Sequence, residues 1–530
     1  MSAKIKAIEE KKNNLLQGGG TKEVDRQHQQ GKLTARERLA KLFDEGTFQE
    51  IDLWIRPMRT GFDIDERDLP GDAVITGFGK IHGRTIYGYI HDFTVVGGTM
   101  SSGQDHKVTR LMEMAMEARA PYVGVIDSGG VRIHDLFGRP AFRPIQAGRL
   151  GIGGTTGIFA APSIASGVIP QISVMLGPCY AGSAYSPTLA DFVIMRRGTS
   201  FMSVASPQLL KTVTYKDVTQ DEIGGAELHA SITGTADYLA ETDEEAIAFC
   251  RELLTYLPLN NTDAPPIIDT RDDPKRREDR LLEIVPEELS LPYDMHEIIH
   301  HVVDDGQFLE LQRLFAKSII IGLARLAGKT VGIVANNPAE NHGVLSINTC
   351  DKEARFIRFC DCFNIPIIFL VDTPGFMPSI EEEKSRDGLI RSAARPVFAI
   401  CEASVPMIVL HVGKCFGPAR LVMGTLRMGV DVVYSWPSAQ VARMDPEEVV
   451  EIIYKEDVES SKDPDRTRGE KLDFILKNYI NYPYHAAEQL MVNDIIDPRD
   501  TRPILIRTLE ALGHKVTNPR PWKKHSLVPR

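Results

Sequence analysis

The sequence predicts an α/β protein built from two similar domains in tandem, and three observations carry that prediction. First, a constant spacing of 245 separates Gly83-Arg84-Thr85 from Gly328-Lys329-Thr330, Lys107 from Lys352, Pro121 from Pro366, and Asp127 from Asp372. Second, flanking echoes drift only by loop-sized amounts: Asp44 to Glu50 and Asp304 to Glu310 stand 260 apart. Pro170 and Pro406 stand 236 apart, each followed seven residues later by Gly177 or Gly413. Third, both copies alternate apolar runs of strand length with amphipathic helical stretches, and the runs end at glycine turns. The domains are placed at 1–285 and 286–526, joined by a polar, proline-rich stretch near Leu259 to Leu291. Residues 527–530 read as the remnant of an engineered thrombin site.

In chain order, a helix opens each copy, with Thr34-Ala35-Arg36-Glu37 as a capping box in the first. Apolar strands follow over Val74 to Ile81, Thr85 to His91 and Thr330 to Ala335, then an amphipathic helix after Lys107 or Lys352. A buried strand (Tyr122 to Ile126; Ile367 to Val371) runs into Asp127-Ser128-Gly129-Gly130 or Asp372-Thr373-Pro374-Gly375. After another helix, a strand (Ile169 to Leu176; Met407 to Val412) ends at a second glycine turn. That turn reads Gly177-Pro178-Cys179-Tyr180-Ala181-Gly182-Ser183-Ala184 in the first copy and Gly413-Lys414-Cys415-Phe416-Gly417-Pro418-Ala419-Arg420 in the second.

Composition narrows the function classes. Sixty-one basic against seventy-two acidic residues give a net charge of −11, which argues against a nucleic-acid or anionic-membrane partner. Seven cysteines without CxxC spacing fit a reducing compartment, cytoplasm or organelle matrix, rather than a disulfide framework or structural zinc. The apolar runs fall far short of the ~18 residues a membrane helix needs, and a charged start, Met1 to Lys12, is not a signal peptide.

The glycine turns carry the chemistry. Small residues at a strand-to-helix turn let a ligand approach the backbone, and the amides of the following helix N-terminus favour an oxyanion. Two such turns per domain would give one pocket floor with paired N–H donors aimed at a developing enolate.

Further motifs point to a family. Ser166 to Ser173, Gly177-Pro178-Cys179, Tyr185-Ser186-Pro187, Tyr256 to Asn261, Pro292 to Met295, Val331 to Asn336 and Arg358-Phe359-Cys360-Asp361 span nearly the whole chain. With Phe363-Asn364-Ile365-Pro366 and Asp92-Phe93-Thr94-Val95, they make the chain resemble the carboxyltransferase (β) subunit of biotin-dependent acyl-CoA carboxylases. The resemblance implies tandem crotonase-like domains (ClpP/crotonase superfamily, ββα spiral), an N-terminal one for acyl-CoA and a C-terminal one for carboxybiotin. It implies active sites shared between subunits in a hexamer, a trimer of dimers. The implied chemistry is CO2 transfer from carboxybiotin to the acyl α-carbon, with both enolates held by backbone amides and the cofactor serving as base. Carried over by residue, the acyl-side turn is Ala181, Gly182 and Ser183, and the biotin-side turn Gly417, Pro418 and Ala419. Ser128, Gly129, Gly130, Arg132, Gly375, Phe376 and Leu421 are candidate substrate contacts. No biotinylation signature or ATP-grasp-sized region is present, so biotin carboxylase and the biotinyl carrier are expected as partner subunits, and no metal is expected in this chain.

Three departures from the family matter. Proline at 418 removes an N–H where relatives carry two small residues; loss of one oxyanion donor costs ~3 kcal/mol of transition-state stabilisation. Leu421 and Gln440 replace acidic residues. The span Asp127 to Pro170 is 43 residues against 34 for Asp372 to Pro406, placing extra residues (Leu136 to Phe142) beside the acyl pocket. Together these suggest a larger, flatter or more apolar acyl group. The rival readings are a decarboxylase subunit of glutaconyl- or methylmalonyl-CoA type, a biotin-independent crotonase-like lyase, and a weakly catalytic scaffold.

Other motifs read as structural. His296-Glu297-Ile298-Ile299-His300 fits HExxH without a third ligand, and Gly328-Lys329-Thr330 is read as a hairpin turn rather than a phosphate loop. Gly151-Ile152-Gly153-Gly154 misses the dinucleotide spacing. His91, His134 and His411 are read as structural rather than as acid or base. Arg132 and Arg391 are open between ion pairing and contact with CoA phosphates or a carboxylate.

Overall fold

The computed structural model describes every residue except 58–59, 138–156, 289, 378, 481–482, 516–526 and 530, and the side chains of 136, 137 and 427. It divides into two compact units, Met1–Asp263 and Ala264–Arg530; the sequence had placed the division at 285/286.

In the first unit a seven-stranded sheet runs Gln49–Ile51, Val74–Ile81, Arg84–His91, Tyr122–Ile126, Gln171–Met175, Phe192–Arg196, Tyr238–Ala240. Its first three strands are antiparallel and the rest join in parallel. The second unit repeats the plan with Phe308–Leu311, Ile319–Leu326, Lys329–Asn336, Ile367–Thr373, Met407–Phe416, Val432–Ser435 and Asp494–Ile495. Even the register is duplicated: Tyr122 pairs with Gln171 and Ile367 with Met407, so the sequence offsets of 245 and 236 reappear as a hydrogen-bonding pattern.

The strands Tyr122–Ile126 and Ile367–Thr373 are buried throughout, as parallel strands covered on both faces should be. The helices that precede them, Ser102–Ala118 and Ile347–Cys362, begin before Lys107 and Lys352 rather than after them, because Ser101 and Ser346 cap them through the amides of Gln104 and Thr349. Lys107 and Lys352 therefore lie inside helices. Each is buried and donates to main-chain carbonyls: Lys107 to Gly71 and Val74 (2.8 and 2.5 Å), Lys352 to Gln312, Phe315 and Ile319 (3.0, 2.8 and 2.8 Å). Burial brings the Lys107 ammonium down to about 8. The Thr34 capping box forms as expected, and Gly328, at φ +77°, closes the hairpin in which Leu326 pairs with Lys329.

One strand differs from expectation. The segment Met407–Phe416 is continuous through Gly413, while the first unit has a break between Met175 and a short strand Pro178–Tyr180. Gly413 is therefore not the turn itself, whereas the chain does bend at Gly177. No helix among the described residues is long and apolar enough to cross a membrane.

Candidate active site

The reversal falls at Ala181 and Gly417, 236 residues apart and both in the left-handed region, at φ +52° and +56°. Glycine takes this conformation freely, whereas alanine is strained there by roughly 1–2 kcal/mol. Matching the two dihedrals aligns Gly182 with Pro418 and Ser183 with Ala419. After the reversal each chain enters a helical turn, Ala181–Ala184 leading into Tyr185–Thr188 in the first unit and Ala419–Val422 in the second.

First-turn amides have no intrahelical acceptor and point outward along the axis. Among the described residues, the N–H groups of Gly182 and Ser183 donate to no acceptor, and neither do those of Ala419 and Arg420; the Gly417 amide is engaged by the Ala442 carbonyl at 3.1 Å. Pro418 occupies the N-cap, so the donor it lacks is the one matching Gly182. The backbone is open here: Ala181 is exposed, and a Cβ on Gly417 would meet nothing within 4 Å.

Most amides of the other glycine turns are taken. Ser128 gives its amide to the Pro178 carbonyl (2.9 Å), Gly129 to that of Gly97 (2.8 Å) and Gly130 to Ser128 Oγ (3.2 Å). In the second unit the Asp372 amide reaches Asn336 Oδ1 (3.2 Å) and that of Gly375 reaches Thr373 Oγ1 (3.3 Å), while Phe376 bridges Leu345. The expectation of paired donors from both turns is corrected for the first unit, where the amides of Ser128, Gly129 and Gly130 are taken; in the second, the bridge to Leu345 uses the Gly375 carbonyl and the Met377 amide, and the Phe376 amide has no acceptor among the described residues. Arg132 is buried, with Nη1 on Asp72 (2.6 Å) and Nη2 on the Thr99 carbonyl (2.9 Å), which leaves its charge engaged inside the unit. Arg391 is exposed on the helix Leu389–Glu402, and Leu421 is 38% exposed on the helix Ala419–Val422.

Beneath each turn stands a buried aspartate. A Cβ on Gly177 would lie 1.8 Å from Asp127 Oδ1, and one on Gly413 2.1 Å from Asp372 Oδ2, so these glycines exist to admit a carboxylate. Asp127 accepts from Lys32 and Arg38 (both 2.7 Å) and from Gln27 (3.0 Å). Asp372 instead accepts from the Tyr293 hydroxyl (2.7 Å) and the Lys414 amide (2.9 Å), and burial raises its carboxyl to about 6. Sequence reasoning missed Lys32 and Arg38, which carry no spacing signal; Tyr293 lay in a quoted motif, but its role did not show.

The histidines are engaged inside the fold. Burial drives His91 down to about 4 and His411 to about 3, so both are neutral; His91 Nδ1 accepts from the Asp127 amide (3.4 Å) and His411 Nδ1 meets Ser435 Oγ (3.0 Å). His134 packs edge-on against Phe62. His296 is directed at Asp294 and Glu310, and His300 at the Gly306 carbonyl. Of the expected insertion, Leu136 and Phe137 end the helix Ile133–Phe137; residues 138–142 and the run Gly151 to Gly154 lie outside the described residues.

Comparison with known proteins places the chain in a family. The model of the carboxyl transferase domain family matches residues 26–528. The chain is 43% identical over 529 residues to a propionyl-CoA carboxylase carboxyltransferase subunit from Haloferax mediterranei, covering 100% of this chain and 99% of that protein. It is 41% identical to the α subunit of methylmalonyl-CoA decarboxylase from Veillonella parvula, covering 99% of each. Among solved structures, it superposes with a TM-score of 0.92 at 38% identity on transcarboxylase 12S, a hexamer crystallised with methylmalonyl-CoA and methylmalonic acid, covering 100% of this chain and 98% of that one.

Proposed function

The chain belongs to the carboxyl transferase domain family and is a carboxyltransferase of the biotin-dependent acyl-CoA carboxylase kind; from that premise we propose how its two turns divide the work and which acyl groups it takes. The observation that carries the reading is the pair of dihedral-matched turns, each presenting amides with no acceptor among the described residues. The Gly182 and Ser183 amides hold the thioester oxygen as it gains negative charge, each contributing ~3 kcal/mol of transition-state stabilisation. The residues of the second turn fit the ureido oxygen of biotin, because the backbone over Gly417 is open and the Ala419 and Arg420 amides are free. Biotin, when presented by its carrier, supplies the CO2. No side chain is needed as base at the turns, consistent with His91 and His411 being buried and neutral.

Leu421, partly exposed three residues past Pro418, is an apolar side chain where family members carry an acid, which supports a larger, flatter or more apolar acyl group. Biotin carboxylase and a biotinyl carrier complete the enzyme in cytoplasm or an organelle matrix. The subunit assembles as a hexamer, as the transcarboxylase 12S relative does. Decarboxylation is the second reading, favoured by the full-length similarity to a decarboxylase subunit.

The test incubates the purified protein with a series of carboxylated acyl-CoA thioesters, with and without free biotin, and follows carboxyl loss. Biotin-dependent turnover rising with apolar acyl size is expected. Turnover in either direction without biotin overturns the reading in favour of a lyase. Net carboxylation on adding a biotin carboxylase, carrier and ATP separates carboxylase from decarboxylase.

A further inference from the structure

The helix Ser102–Ala118 carries one side chain that the carboxyl-transfer reading does not use. Asp105 is 3% exposed. Its Oδ1 accepts the amide of Ile158 at 3.0 Å, and the Gly157 amide bonds the same carboxylate; these are the first two residues of the helix Gly157–Ala165. The next residue, Phe159, brings its ring to 4.0 Å from where a Cβ of Gly182 would stand and packs edge-on to Tyr185, at 6.1 Å between centroids. A continuous path of contacts thus joins Asp105 to the acyl-side turn.

The other oxygen, Oδ2, has no hydrogen-bond partner among the described residues. Asp105 lines a cavity of about 20 Å³ shared with Tyr89, His91, Gln104, Ser183 and Ser186. A space of ~10–15 Å³ or more lined by polar groups holds one water. Because His91 Nδ1 accepts from the Asp127 amide and the ring is neutral, its proton sits on Nε2, so this wall of the cavity offers a donor to complement the carboxylate. The remaining titratable groups on the cavity wall, Tyr89 and Cys179, are both held protonated by burial. At the matching position of the second unit, 245 residues on, stands Cys350, so the device belongs to the acyl side alone.

Resting on the carboxyltransferase reading, we propose that Asp105 is a positioning residue for the acyl-side turn: one oxygen pins the helix that presses Phe159 onto Gly182, and the other holds a single buried water against the inner face of the turn at Ser183. A displacement of the Gly182 and Ser183 amides by a fraction of an ångström lowers turnover more than binding, since those amides matter most to the charged transition state.

The experiment compares the wild-type enzyme with Asp105→Ala, Asp105→Asn and Phe159→Ala, each confirmed folded by circular dichroism. Misplacement of the amides predicts that Asp105→Ala lowers kcat for the acyl-CoA about tenfold with KM changed less than about twofold. Asp105→Asn, which keeps an oxygen acceptor for the helix, recovers to within about threefold of wild type. Phe159→Ala reproduces the kcat loss and serves if Asp105→Ala fails to fold. A high-resolution structure is expected to show a water within hydrogen-bond distance of Asp105 Oδ2. An unchanged kcat in both alanine variants, a loss confined to KM, or no water at Oδ2 overturns the proposal. Wild-type inactivity toward every acyl-CoA would instead refute the carboxyltransferase reading on which it stands.

Discussion

Asp127 and Asp372 occupy the same place in the duplicated fold, each filling the space left by a glycine in the neighbouring strand, yet the two units stabilise them by opposite means. In the first, the carboxylate is the centre of a buried charge network: Lys32 and Arg38 reach Asp127, Arg38 also reaches Asp243 at 2.8 Å, and Arg196 reaches Asp243 at 2.6 Å. In the second, a neutral phenol and one backbone amide are its hydrogen-bond partners among the described residues. Backbone geometry was kept through the duplication while the electrostatics diverged. A shared carboxylate therefore supports both turns, but only the first is locked by charge.

The largest effect that separates the two follows directly. Asp127→Asn leaves Lys32 and Arg38 buried around a neutral amide, and breaking a buried ion pair by removing one partner costs about 3–5 kcal/mol. Asp372→Asn offers one oxygen where Asp372 meets the Tyr293 hydroxyl and the Lys414 amide with two, but it removes no cation's partner, so a smaller loss of about 1–2 kcal/mol is expected. Urea unfolding of the two variants, followed by hydrogen exchange in each unit, reads the difference; equal losses would show that the charge network is not what distinguishes the units.

The turns themselves give the next contrast. Gly182→Pro writes the biotin-side feature into the acyl side and removes one free amide. Loss of one donor predicts ~3 kcal/mol, roughly a hundredfold in kcat, for the acyl-CoA reaction. Pro418→Gly adds the missing donor on the other side. A severalfold rise in the biotin-dependent rate is expected, because the Ala419 and Arg420 amides already supply part of the stabilisation. If Gly182→Pro leaves kcat unchanged, the free amides are not the oxyanion donors.

What could be read in the sequence was whatever the duplication repeats. Constant offsets placed the strands Val74–Ile81 and Tyr122–Ile126 to the residue, and the same offsets pointed to Lys107, Lys352, Asp127 and Asp372 before any role was known for them. The turns at Ala181 and Gly417 were legible because a strand-to-helix reversal needs small residues. Gly413 was misassigned as a turn because a glycine that makes room for a neighbour's carboxylate looks the same in sequence as one that bends the chain. Lys32, Arg38 and Asp105 were invisible for a different reason: each acts across a long chain separation, on a partner the repeat does not specify, and nothing stands in for them in the other copy.

A dependence on pH isolates the second unit's carboxylate. Burial raises Asp372 from its ordinary 3.8 to about 6, so between those values the folded state binds a proton that the unfolded chain releases. Stability from that proton is fully present below about pH 4 and is lost as pH rises through about 6, a total on the order of 3 kcal/mol for a shift of about two units. Asp372→Asn cannot titrate and removes this dependence. Asp105 is raised to about 6 as well and contributes in the same direction, so the informative quantity is the wild-type curve minus the Asp372→Asn curve, in which the Asp105 contribution cancels. That difference should favour wild type at pH 4, fall steadily to pH 6 and stay level above pH 7. A flat difference from pH 4 to 8 would mean that the Tyr293 hydroxyl and Lys414 amide keep Asp372 ionised throughout, and that the two aspartates are electrostatically alike after all.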